Sequence, residues 1–155
     1  MSPPVIRPAT ERDLDAVYAL VCDMEAKELP YAAFAEIFRA QLADGDYLCL
    51  VCELDGEVAA ECNLRFEYQL HHAARIAELM ELAVAPEYRR RGLGADMLRE
   101  AAIAALAHGC VQLELACNIL RHDAHRFYER EGFRPYHHKF TKPLTHPDQP
   151  NALGR

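Results

Sequence analysis

The 155-residue sequence predicts a mixed α/β domain in which helices cover a central sheet. Three observations predict it. Segments with apolar residues at helical spacing alternate with β-rich runs. Glycine and proline punctuate the boundaries between them. No stretch repeats itself or thins into a linker. Hydrophobic residues make up 51% of the chain and charged residues 26%, a balance that excludes disorder, collagen and coiled coil. A chain this long buries roughly 70% of its unfolded surface and needs neither disulfide nor metal to hold a core.

The elements follow in order. Val5–Pro8 is a short apolar opening strand. Thr10 stands as an N-cap-type residue before a helical stripe of Leu14, Val17, Tyr18, Val21 and Cys22. Pro30 ends that region. Ala32–Leu42 reads as a second helix on Phe34, Ile37, Phe38 and Leu42, and Gly45-Asp46 breaks it. Tyr47–Leu54 and Glu57–Phe66 are strands around Asp55-Gly56, a strong hairpin signal. Arg75–Val84 is a third apolar run, stopped by Pro86. Leu93–His108 is an alanine- and leucine-rich helix closed by Gly109. Val111–Cys117 alternates as a strand does, and Asp123–Glu131 is a helix closed by Gly132. Phe133–Leu144 reads as one or two final strands. One domain therefore spans residues 1–144, and the proline-bearing tail 145–155 reads as loose.

The chain carries 17 Lys+Arg against 24 Asp+Glu, and a net charge of −7 argues against nucleic acid or an acidic membrane as partner. No apolar run approaches the ~18 residues needed to span a bilayer, and the opening residues lack the apolar region of a signal peptide. Cysteines 22, 49, 52, 62, 110 and 117 sit mostly inside apolar runs, which predicts a reduced, cytoplasmic protein. Cys49 and Cys52 form a C-x-x-C, but in a strand these positions point to opposite faces, a poor metal geometry.

Chemistry concentrates between Leu82 and Gly94. A strand ends there and a basic, glycine-bearing turn opens a helix, which makes an anion site: amides at a helix N-terminus point outward and the macrodipole favours negative charge. Gly92 and Gly94 let a phosphate approach the backbone, and Arg89, Arg90 and Arg91 add charge. The lysine and Ser/Thr of a Walker loop are absent, and the spacing is not the dinucleotide G-x-G-x-x-G. The plainer alternative is an ordinary strand-turn-helix junction with solvated arginines.

Arg89-x-x-Gly92-x-Gly94 after an apolar strand resembles the acetyl-CoA pyrophosphate loop of the GCN5-related N-acetyltransferases, the GNAT family. Asn118, Ala124-His-Arg-Phe-Tyr128 and Glu131-Gly-Phe133 resemble the family's later motifs, and Ile6-Arg-Pro-Ala-Thr10 with Asp13 resembles its opening strand and helix. The likeness covers about residues 4–144. It implies the GNAT fold: a mixed, mostly antiparallel sheet of six to seven strands flanked by about four helices. It implies acetyl-CoA as co-substrate. Leu82, Ala83 and Val84 would lie along the pantetheine arm. Arg89, Arg90, Arg91, Gly92, Leu93, Gly94 and Ala95 would cradle the pyrophosphate, and Asn118 would face the cofactor. Tyr128 would contact the cofactor too, as the acid that protonates the thiolate. The cleft would open between splayed strands near 82–84 and 116–118.

Glu78 stands eleven residues before Arg89, where several family members place a carboxylate base. Glu81 shares the strand, but regular pleating turns it to the other face unless a bulge intervenes. Each has a plainer alternative: an arginine-paired strand carboxylate for either glutamate, a core aromatic for Tyr128, an N-cap for Asn118.

A narrower likeness lies in Leu70-His-His72, the Glu78/Glu81 pair, Arg121-His-Asp-Ala-His-Arg-Phe-Tyr128 and Phe140-Thr-Lys142. Together these resemble the aminoalkylphosphonate N-acetyltransferases, which act on primary amines and respond to divalent cations. On that likeness His72, Glu78 and His122 are substrate-side residues, a divalent cation is a candidate cofactor with ligands unassigned, and a homodimer acting on a small-molecule amine is expected. Histidines 71, 72, 122, 125, 137 and 138 show no H-E-x-x-H spacing, and surface histidines are the alternative. Competing functions are the same fold acting on an amino sugar, polyamine or aminoglycoside, and a CoA-binding module without turnover.

Overall fold

The computed structural model describes residues 2–145. The tail expected to be loose lies, beyond Thr145, outside the described residues. The chain divides into two compact units, one up to Cys117 and one from Asn118 onward.

The first unit runs β1 (Val5–Pro8), α1 (Leu14–Glu25), α2 (Tyr31–Leu42), β2 (Tyr47–Leu54), β3 (Glu57–Gln69), β4 (Ala74–Val84), α3 (Leu93–Ala107) and β5 (Cys110–Leu115). The strands form one sheet in chain order, β1 to β4 antiparallel and β5 parallel to β4. Asp55 and Gly56 both adopt positive φ, 52° and 81°, which is the turn that Asp-Gly favours between twisted strands.

Successive strand residues face opposite sides. Val51 joins the cluster of Leu14, Val17 and Val21 from α1 with Ala35 and Phe38 from α2. Its neighbour Cys52 has its thiol pushed up, first by burial and then by Asp96 of α3. So α1 and α2 cover one face and α3 the other. Cys49 packs against the α1/α2 cluster, which puts the two thiols of the C-x-x-C on opposite faces.

The entry to α1 is fixed by a buried carboxylate. Asp13 is 5% exposed. It accepts bonds from the Thr10 amide at 2.7 Å and from Arg7 at 2.8 and 3.0 Å. The Arg7 guanidinium holds this carboxyl below the usual range, against the opposing effect of burial.

The second unit contains α4 (His122–Arg130). Its end is closed by the Phe133 amide donating to the Tyr128 carbonyl at 3.0 Å. Residues 133–145 form neither helix nor strand. The sheet among the described residues therefore has five strands, not the six to seven expected. Pro135 and Pro143 each remove an amide donor from the run read as final strands, and the Tyr136 amide turns back to the Arg134 carbonyl at 3.0 Å.

Candidate active site

The open edge of β4 is the first feature. The β4–β5 ladder ends at Leu79↔Leu115, while β4 continues to Val84. Along an antiparallel strand, amide and carbonyl point alternately to the two edges. The Ala85 amide donates to the Ala59 carbonyl at 2.8 Å, so Ala83 and Ala85 turn their polar backbone to β3. Leu82 and Val84 turn theirs to the other edge, where no strand pairs with them among the described residues. An amide-bearing arm laid there would meet unspent donors and acceptors.

The second feature sits where that ladder stops. Asn63 pairs with Glu81 but Leu64 pairs with Leu79, so Met80 is an extra residue in β4. This bulge resets the alternation and puts Glu78 and Glu81 on the same face, the face covered by α1 and α2. Their surroundings differ. Glu78 Oε2 accepts from Arg65 at 2.5 Å, and the same guanidinium nitrogen reaches Glu67 at 3.2 Å. Glu81 is half-buried, and burial pushes its carboxyl above the ordinary range. Asn63 opposes that rise by hydrogen bonding, and Glu25 and Glu78 add to it. The Asn63 amide also donates to Gln41 of α2 at 2.9 Å. Beside this pair lies Glu61, 1% exposed, with its carboxyl pushed well up by burial and then by Glu81.

The third feature is the turn into α3. Pro86–Tyr88 makes a single 3₁₀ turn, then Arg90 and Gly92 take φ of 63° and 81°. The Asp96 amide makes the first helical bond, to the Gly92 carbonyl at 3.1 Å. The amides of Leu93, Gly94 and Ala95 precede it and have no carbonyl four residues back within the helix. A Cβ on Gly92 would meet nothing within 4 Å, so the space above the turn is open. Outward amides, a helix N-terminus and open space fit a pyrophosphate. Arg91 lies over the Tyr88 ring at 5.4 Å. Arg89 stays exposed but is held, donating to the Val84 carbonyl at 3.1 Å and to Asp23 of α1 at 2.8 Å.

Four candidates remain. His72 lies at the tip of the β3–β4 hairpin, with Nδ1 at 2.7 Å from Gln69 Oε1. Seven residues of strand separate Ala74 from Glu81, roughly 23 Å of extended chain, so β4 does not bring His72 to Glu81. In the second unit, Asn118 Oδ1 accepts from the Leu120 amide at 2.9 Å, closing the turn before α4. The Tyr128 ring packs edge-on against Phe133 at 5.8 Å. His122 opens α4 in an H-x-x-H pair with His125, ring centroids 6.5 Å apart. Among the described residues no three His, Cys, Asp or Glu side chains are placed to hold an ion. Among the described residues the candidate divalent cation therefore has no donor set of three.

Glu61, Asn63, Arg65 and Asp23 were not singled out by sequence reasoning. A signal existed: Glu61, Asn63, Arg65 and Glu67 alternate with Cys62, Leu64 and Phe66, a polar stripe on one face of a long strand.

Residues 14–133 match the family described as "Acetyltransferase (GNAT) family". The chain is 42% identical over 139 residues to the aminoalkylphosphonate N-acetyltransferase of Salmonella typhimurium, 90% of each chain being covered. Solved structures share the fold at low identity. An aminoglycoside N-acetyltransferase in complex with CoA superimposes with TM-score 0.84 at 14% identity, covering 92% of this chain and 95% of its own. Glucosamine-6-phosphate N-acetyltransferase from Arabidopsis thaliana superimposes with TM-score 0.77 at 19% identity, covering 91% and 98%. With a family match over residues 14–133 and 42% identity to a curated relative over nine-tenths of both chains, the chain belongs to the GNAT family as an N-acetyltransferase.

Proposed function

We propose that this enzyme transfers the acetyl group of acetyl-CoA to the primary amine of an aminoalkylphosphonate, through one acetyltransferase domain spanning residues 1–144. The observation that carries the substrate class is the 42% identity, over nine-tenths of both chains, to an enzyme of that name.

Acetyl-CoA supplies the thioester. Leu82 and Val84 hold the arm through their edge-facing backbone, with Ala83 between them. Arg90, Arg91 and the amides of Gly92, Leu93, Gly94 and Ala95 hold the pyrophosphate, with Arg89 bracing the turn. Asn118 faces the cofactor. The amine arrives as an ammonium and must lose a proton before its lone pair can attack. Glu81 takes that proton, directly or through water. Its raised proton affinity matches it to the task better than Glu78, whose charge is already matched by Arg65. The new N–C bond forms as the C–S bond breaks, Tyr128 gives its phenol proton to the departing thiolate, and the second proton left on the nitrogen passes through water to restore the phenol, giving a neutral amide. Glu78 and His122 remain substrate-side residues in this reading. His72 joins them only if another element reaches the hairpin tip.

Net charge −7 favours a polycationic amine as the second reading. Thiol release from acetyl-CoA separates the two. The panel is aminomethyl-, 1-aminoethyl- and 2-aminoethylphosphonate, their carboxylate counterparts, glucosamine 6-phosphate, spermidine and an aminoglycoside, each with and without a divalent cation. Preference for the phosphonates is expected. Turnover of polycations alone would discard the phosphonate assignment, and tight CoA binding without turnover would point to a non-catalytic module. The family likeness also suggests a homodimer, and the apolar setting of the cysteines a cytoplasmic location. Sedimentation of the pure protein tests the first.

A further inference from the structure

Glu61 lies in the middle of β3 with Val51 and Ala83 as its cross-strand neighbours. On the same face, α1 side chains pack over Val51. Glu61 is 1% exposed, and neither carboxyl oxygen has a hydrogen-bond partner among the described residues. An ionised carboxylate in such a layer is strongly unfavourable, so the group is held as the neutral acid.

Nothing around it supplies a compensating charge. Glu81 approaches from β4, and its negative charge adds to the effect of burial. Cys49 approaches from β2, and Cys62 lies on the same strand; burial pushes both thiols up. From the helical layer, Glu25 acts on Glu81, and Asp13 is already committed to Arg7. Glu78 is committed to Arg65.

Glu61 is therefore no base. A neutral carboxylic acid in an apolar site has a different use, as a hydrogen-bond donor, and this one is unspent. Its position fits that use. Asn63 pairs with Glu81 and Glu61 pairs with Ala83, so Glu61 and Glu81 are diagonal neighbours. The Met80 bulge puts them on one face. Diagonal neighbours lie about 7–8 Å apart at Cα, within reach of long side chains.

We infer that Glu61 is a positioning residue for Glu81, its carboxylic acid donating a hydrogen bond through one bridging water that orients the Glu81 carboxylate toward the ammonium. This rests on the reading of Glu81 as the base. It also explains why an unpartnered acid persists where leucine would pack without penalty.

Two kinds of substitution separate this role from packing. Glu61→Leu keeps the volume and removes the donor; Glu61→Gln keeps a donor. Steady-state rates with acetyl-CoA and 2-aminoethylphosphonate are measured from pH 5 to 9, alongside thermal melting. Glu61→Leu is expected to lower kcat about tenfold, with KM for acetyl-CoA within about twofold and no fall in melting temperature. The acidic limb of kcat should move to higher pH, because losing a donor to the charged form raises the proton affinity of Glu81. Glu61→Gln should recover most of the lost rate. Glu61→Met replaces Glu61→Leu if the latter does not fold. A wild-type rate and pH profile in the apolar variant overturns the inference. So does an equal loss in the apolar variant and Glu61→Gln with lowered melting. If Glu81→Gln itself keeps the wild-type rate, the base assignment fails instead.

Discussion

Arg89 joins two distant parts of the first unit. Its guanidinium lies 2.8 Å from Asp23, 66 positions earlier in the chain, and 3.1 Å from the Val84 carbonyl. The first arginine of the turn into α3 is thus tied to the last turns of α1 and the end of β4. All three arginines of the turn are exposed, but the charge of Arg89 has a partner, whereas Arg90 and Arg91 form no ion pair among the described residues.

That division predicts a salt effect. Attraction between exposed charges weakens as ionic strength rises. KM for acetyl-CoA should climb with added salt in the wild type and in Arg89→Ala. The Arg90→Ala/Arg91→Ala double variant should show a flatter dependence and a KM about tenfold higher at low salt. An unchanged slope in the double variant would return the phosphate contact to Arg89.

Tyr128 is the proposed acid, and removing one hydroxyl tests it with little change of shape. Tyr128→Phe should lower kcat at least about tenfold and leave KM for acetyl-CoA nearly unchanged, since the ring keeps its contact with Phe133. A wild-type kcat would reduce Tyr128 to a packing residue.

The two glutamates on the bulged face should part company. Glu81→Gln should lower kcat about a hundredfold, within the usual reach of general-base catalysis. Glu78→Gln should cost less than about fivefold, because Arg65 keeps Glu67 as a partner. A base works deprotonated, so activity falls as pH drops through its folded pKa. That pKa lies above the ordinary carboxylate range in Glu81. The acidic limb of kcat/KM in the wild type should therefore lie above about pH 4.3, the value of a free glutamate.

Asp13 governs acid stability. Its folded pKa is depressed, chiefly by the Arg7 hydrogen bond. A depressed carboxyl contributes stability that is present above its unfolded value, about 3.9, and is lost as pH falls through the folded one. Asp13→Asn should therefore lower stability at pH 7 by about 2 kcal/mol, reduced from the fully buried case because Arg7 is partly exposed. The variant should also lose less than the wild type on going from pH 5 to pH 2. Melting curves across that range decide it.

Most of the first unit was legible because its signals are local. Asp55-Gly56 demands its turn, Pro86 and Gly109 stop their elements, and the β-rich run Tyr47–Leu54 needs only a sheet to pack against. The turn into α3 was legible for the same reason, since glycine and helix start occupy a dozen residues. Phe133–Leu144 misled because its aromatic residues look strand-like, while its two prolines forbid a full ladder. The site was half legible. Glu78 and Glu81 could be named, but their shared face depends on Met80, and a bulge is a property of two strands together. Glu61 escaped because a glutamate alternating with apolar residues ordinarily faces water. Only the helical layer over β3 turns it into a buried acid.

Met80 has one more consequence. Delete its codon and every remaining residue of β4 keeps its facing: Glu81 still opposes Asn63 and Leu79 still opposes Leu64. Both carboxylates would survive in place. What would go is the bulge itself, the irregularity beside which the β4–β5 ladder stops at Leu79 and Leu115. A three-nucleotide loss would thus separate two things the wild type holds together, the shared facing of the carboxylates and the local distortion of the strand that carries them.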